Sequence, residues 1–321
     1  MSLRELWNYA HTQVPPCGSL NSDCHFLATH IIEHFLGADW IEKHLIAEPS
    51  AYFAIKSGTG DMRDLHMWKV KMFGESLFNL QEQEGFQRVL NQLREAGRGE
   101  NVEGALAELE IGGILKRSGR PFLFVENTGV KGADYDLEIR FDSHTLLADT
   151  KRKIEISDFT ESGFKNTLSS ARKQFPQGGQ ALIFVRLPEH WLRGTPEDHE
   201  SYNFLGDHLK TLEGIARSFL NGTSRVVGVV LVTEFIQLYP KSISSFIVTR
   251  EIWSTKLHLL NPSLIPASVT FQGDSNPNWI GLPALLRHHL ALQHPSLTHP
   301  YFPQVNRVTN TARNFRHRFR Q

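Results

Sequence analysis

Asp149-Thr150-Lys151 is the only place in the 321-residue chain where an acidic residue stands two positions before a lysine. It ends an apolar run, Thr145-Leu146-Leu147-Ala148, that reads as a buried strand. Asp136 stands thirteen residues earlier, in the strand-like run Tyr135-Asp136-Leu137-Glu138-Ile139. A turn at Asp142-Ser143-His144 would set these two strands side by side, so the carboxylates of Asp136 and Asp149 can converge. Residues two apart on a strand share a face, so Asp149 and Lys151 point the same way. Two carboxylates and a lysine on adjacent strands suit metal-assisted hydrolysis of a phosphodiester. The carboxylates hold a hard cation through oxygen, and the lysine binds the scissile phosphate, orients water or takes its proton. The backbone carbonyl of Thr150 would complete a shell suited to magnesium, or to manganese.

These residues need a scaffold. Val102 to Ser118 carries apolar positions at 102, 105, 106, 109, 111, 114 and 115, which is helical spacing, and Gly119 stops it. Strands are expected at 122–125, 135–141, 145–151 and 181–185, with a helix from Phe159 to Phe175 before the last. The order is α, β, β, β, α, β. A third carboxylate should come from the first helix. Glu103, Glu108 and Glu110 are the candidates, and Glu108, near the helix middle, is chosen. Asp134 is the alternative to Asp136, and Glu138 shares a face with Asp136.

The arrangement resembles the PD-(D/E)xK nuclease superfamily, whose fold is restriction-endonuclease-like. The match covers residues 102–186, about a quarter of the chain, with Tyr135 where the motif name has proline. The resemblance implies an α/β protein with an αβββαβ core and a mixed sheet. It implies that Glu108, Asp136 and Asp149 bind a divalent metal and that Lys151 assists water attack. It makes Gln174 on the second helix a further site residue. The implied activity is metal-dependent endonucleolytic hydrolysis, with DNA the expected substrate, although the sequence does not separate DNA from RNA. The alternative is a nucleic-acid-binding or scaffolding protein on the same fold without turnover.

Lys153, Arg172 and Lys173 are the basic residues expected to contact phosphates near the carboxylates. The tail at 313–320 interleaves arginine with aromatic residues and is a second candidate for nucleic-acid contact. The 34 basic and 34 acidic residues cancel, so a nucleic-acid surface must be local.

Three regions are expected: a mostly helical stretch at 1–100, the nuclease-like core at 101–250, and a C-terminal extension at 251–321. Within them, Glu75–Leu93 reads as one helix, 206–220 and 283–292 as helices, and 226–234 and 244–250 as strands. No apolar run is long enough to cross a membrane, and Arg4, Glu5, Asn8 and His11 interrupt any N-terminal signal segment. Two cysteines, Cys17 and Cys24, exclude a disulfide framework and fit a reducing cytoplasm. A homodimer or protein partner is not readable from the sequence.

Other motifs are weaker. His30-Ile31-Ile32-Glu33-His34 has the inverted zinc-protease spacing, but a partly buried amphipathic helix accounts for it. Cys17, Cys24, His30 and His34 lack zinc-finger spacing, and Gly58-Thr59-Gly60 lacks the lysine of a phosphate loop. His288, His289, His294 and His299 have no acidic partner in sequence.

Overall fold

The computed structural model describes residues 1–13, 20–47, 52–53, 62–95, 102–126, 128–130, 132–141, 144–153, 158–188, 191, 207–238, 246–254, 276, 278–282 and 285–286. Helices α1 (Leu3–Thr12), α2 (Leu20–Leu36), α3 (Ala38–Ile41), α4 (Met62–Leu80) and α5 (Phe86–Glu95) come first, with a π-helical turn at Glu42–Ala47. Then follow α6 (Val102–Arg117), β1 (Phe122–Phe124), β2 (Leu137–Arg140), β3 (Thr145–Arg152), α7 (Glu161–Arg172) and β4 (Ala181–Arg186). The last elements are α8 (Asp207–Asn221), β5 (Val226–Leu238) and β6 (Phe246–Ser254).

The protein is α/β, with an open mixed sheet of six strands in chain order from β1 to β6. β3, β4 and β5 run parallel, and the other neighbours are antiparallel. Parallel neighbours require a crossover, and α7 and α8 supply the two. Both faces of the central strand β4 are covered, so all six of its residues are buried. Ile183 and Val185 face a core shared with α7 and α8, whereas Leu182 and Phe184 face one shared with α6 and the N-terminal helices. The helices of residues 1–95 therefore pack on the same sheet as α6.

α6 is buried on nearly every side, from Ala105 through Leu115. Its glycines allow this. A Cβ on Gly112 would lie 2.6 Å from Phe124 Cζ, and one on Gly113 would lie 2.7 Å from Ser76 Oγ. Gly119, at φ +70°, ends the helix as its position suggests.

The single helix expected over 75–93 is two. Residues 81–85 form turns between α4 and α5. Gly85 has φ +78°, and a Cβ there would lie 2.0 Å from the Phe124 carbonyl oxygen. The Phe124 amide bonds to the Glu84 carbonyl at 3.0 Å, so the break docks β1. The second strand is shorter than expected and starts at Leu137, which leaves Asp136 just outside it. β5 and β6 extend further than expected, to Leu238 and Ser254. The 313–320 tail, the glycine pair at 58 and 60, Cys17, the histidines at 288–299 and most of the 283–292 helix lie outside the described residues. Among the described residues no helix is long and apolar enough to cross a membrane.

Candidate active site

β3 outlasts β2. The two pair only from Arg140↔Thr145 to Leu137↔Ala148, so residues 149–152 have no β2 residue opposite them. Asp136 takes over at this edge. Its Oδ2 accepts the Thr150 amide at 2.6 Å and the Thr150 hydroxyl at 2.7 Å. The carboxylate thus does for the Thr150 N–H what a strand carbonyl would have done.

Asp149 is 1% exposed. Lys151 Nζ donates to its Oδ1 at 2.9 Å and lies 2.7 Å from its Oδ2. Despite that approach, Oδ2 receives no hydrogen bond of good geometry. Alternation along β3 sets Asp149 and Lys151 on the α7 face with Leu147, while Thr150 and Arg152 take the α6 face.

Glu108 comes from the α6 side and is buried. The three glutamates of α6 each meet an arginine from a different element. Glu108 pairs with Arg88 of α5, Glu103 with Arg152 of β3 at 2.9 Å, and Glu110 with Arg186 of β4 at 3.2 Å. Arg88 also reaches the Asp136 carbonyl at 3.3 Å and donates to Gln92 Oε1 at 3.0 Å. Glu110 clips α6 to β4 and Glu103 clips it to the end of β3, while Glu108 is the α6 carboxylate whose charge acts on Asp149 and is acted on by Asp136.

The four charges act on one another. Burial, and then the charge of Asp136, push the Asp149 carboxyl up to about 8 against the pull of Lys151. The same two causes push Glu108 up to about 7, opposed by Arg88 and Lys151. Burial alone would lower the Lys151 pKa, but Asp149, Asp136 and Glu108 outweigh it and the net shift is upward. Crowded negative charge in a low-dielectric edge is what a divalent cation would relieve, and the donors are all oxygen. As the side chains stand, no three His, Cys, Asp or Glu groups among the described residues are placed to hold a metal together. Glu108 is drawn toward Arg88, and Asp136 toward Thr150.

The other expected residues are dispersed. Glu138 accepts from Tyr135 Oη at 2.8 Å, and Asp134 Oδ1 accepts the amides of Thr128 and Gly129 at 3.2 and 3.3 Å. Both therefore have structural partners. Lys153 Nζ donates to the Gly163 carbonyl at the start of α7, and burial lowers its pKa. α7 runs antiparallel to β3, so Arg172 and Lys173 lie at its other end, about 18 Å along a twelve-residue helix. The structure groups them with Arg225, not with Lys153. The Gln174 carbonyl accepts the Asp134 amide at 3.2 Å, which ties the end of α7 to the loop leading to Asp136. Arg88 was missed from sequence. It stands among Phe86, Val89 and Leu90, and the one acidic residue four positions away, Glu84, points elsewhere: it lies in the turn before α5 and pairs with Arg140 at 3.4 Å. In the His30–His34 motif, His30 stacks on Tyr9 with ring centroids 3.4 Å apart, while Glu33 and His34 are exposed. No protein-family model, curated protein or solved structure matches the chain.

Proposed function

We propose that the chain is a divalent-metal-dependent endonuclease, acting on DNA before RNA, on a restriction-endonuclease-like core. The observation that carries this reading is that β3 outlasts β2, so that Asp149, Lys151 and the Asp136 carboxylate share an open edge, with Glu108 near enough for its charge to act on theirs. The order α6-β1-β2-β3-α7-β4, with α6 and α7 on opposite faces of the sheet, supports it.

Glu108, Asp136, Asp149 and the Thr150 carbonyl would hold magnesium or manganese. Such an ion, when bound, polarises the phosphate and lowers the pKa of water. The chain's own residues do the rest. Asp149 and Asp136 orient the site from two neighbouring segments. The upward pKa shift of Lys151 keeps it an ammonium at neutral pH, so its role is to donate hydrogen bonds to phosphate or water rather than to accept a proton. A cytoplasmic location belongs to this reading and rests on the cysteine content.

One observation favours a second reading, a nucleic-acid-binding or scaffolding protein without turnover. Glu108 and Asp136 are each already held by an internal partner. The deciding experiment is cleavage of single-stranded, duplex, branched and RNA substrates with magnesium or manganese. Metal-dependent cleavage supports the nuclease. Binding without cleavage of any substrate supports the silent protein.

A further inference from the structure

Two adjoining open depressions, of about 370 and 310 Å³, lie at the C-terminal ends of α7 and α8. Both are lined by Lys173 and Arg225, one also by Gly132 and Phe175, the other by Arg172 and Thr223. Among the described residues three cations line them and no carboxylate does, in a chain whose charges sum to zero. Two of the cations are set in place beforehand. The Arg172 guanidinium lies over the Phe219 ring, 5.8 Å from its centroid, and Arg225 Nη1 donates to the Phe175 carbonyl at 3.3 Å. Lys173 is exposed.

We infer that this basic depression is an anchoring site for the phosphodiester backbone of nucleic acid, separate from the carboxylate cluster. The inference rests on the nuclease reading for its link to cutting. Gly132 lines the depression, and Asp136 lies four residues further along the same loop, at most about 14 Å of extended chain. Each strand of duplex DNA advances about 3.4 Å along the axis per nucleotide. The anchor thus holds the backbone a few nucleotides from the bond at Asp136 and Asp149. A simpler role for the cations is to offset the negative helix ends of α7 and α8. Arg225, however, lies outside both helices, and three cations converge where one per helix end would serve.

The test uses the full chain with calcium, which supports binding without turnover, and labelled duplex and single-stranded oligonucleotides of unrelated sequence. Affinity is measured against salt for wild type, K173A and K173A/R225Q, the glutamine keeping a donor for the Phe175 carbonyl. Removing two phosphate contacts should make the duplex log–log salt slope shallower by about 1.8, and K173A alone by about 0.9, to the same extent for every sequence. A slope equal to that of wild type in both variants overturns the anchor. The two readings fail separately. A wild type that binds in calcium and cuts nothing when magnesium or manganese replaces it, with a slope that changes in the variants, removes the nuclease and keeps the anchor. Cutting with an unchanged slope does the reverse, and a wild type that binds no nucleic acid removes both.

Discussion

Arg88 and Glu108 form a buried ion pair, and the same guanidinium nitrogen reaches the backbone carbonyl of Asp136 at 3.3 Å. One cation thus ties α5 to α6 and to the segment entering β2. Its Nε is buried with no hydrogen-bond partner. Breaking such a pair leaves one charge buried alone, at a cost of about 3–5 kcal/mol. Arg88→Met should lose about that much stability at pH 8, and less at pH 6, where Glu108, with a pKa of about 7, can take a proton instead. Arg88→Met with Glu108→Gln should regain most of the loss. Denaturant unfolding of the four proteins at both pH values checks this, and strictly additive losses would refute it.

Lys151 and Asp149 are expected to be indispensable to cleavage. Lys151→Ala removes a positioned charge, which costs on the order of 10²–10³-fold in rate. Asp149→Asn keeps the shape of a buried side chain but removes a carboxylate from the cluster, and cleavage should fall at least as far. Rates with magnesium, alongside melting curves that show the variants folded, make the measurement. Wild-type rates in either folded variant would remove that residue from the site.

The raised carboxyl values of Asp149 and Glu108 carry a pH signature. Their unfolded-state values are about 3.9 and 4.3, and their folded values are about 8 and about 7. The folded protein therefore binds more protons between those limits, so stability from these groups is full below about pH 4 and is lost as pH rises to about 8. Asp149→Asn should flatten the melting-temperature profile between pH 6 and 8. Calcium should raise the melting temperature most at the alkaline end and release protons on binding, read by calorimetry in buffers of different ionisation enthalpy. A wild-type profile that rises from pH 5 to 8 without metal would contradict these shifts.

Gly112 tests how closely α6 must approach β1. Alanine would gain about 1 kcal/mol of helix propensity, but its Cβ would lie 2.6 Å from the ring of Phe124, which is itself buried. Overpacking of this kind costs about 1–3 kcal/mol. Gly112→Ala should be destabilising on balance and, by shifting the helix that carries Glu108, should also slow cleavage. A variant as stable as wild type would show that Phe124 has room to move.

The elements that frame the site were legible because each has a local signature. The helical spacing from Val102 to Leu115, the stop at Gly119 and the continuous apolar run of β4 are all properties of neighbouring residues, and the structure agrees with them. The parallel step from β3 to β4 agrees with a helix between two apolar strands. What was not legible depends on partners distant in sequence. The α4–α5 break is fixed by Phe124, about forty residues away. Arg88 owes its burial to Glu108 and Asp136. Arg172 and Lys173 follow the catalytic candidates closely in sequence, yet the antiparallel run of α7 carries them to the far end and beside Arg225.

Because the strands occupy the sheet in chain order, each can add to the edge left by its predecessor as the polypeptide leaves the ribosome. Glu108, Asp136, Asp149 and Lys151 are all synthesised before β4 begins, so the carboxylate cluster precedes the strand that buries the other edge of β3. The helical layer waits longer. Asn79 bonds in both directions to Ile280, across 201 residues, and Glu75 accepts the Leu282 amide. The flank of α4 that these bonds cap is therefore completed only after residue 282 has been made.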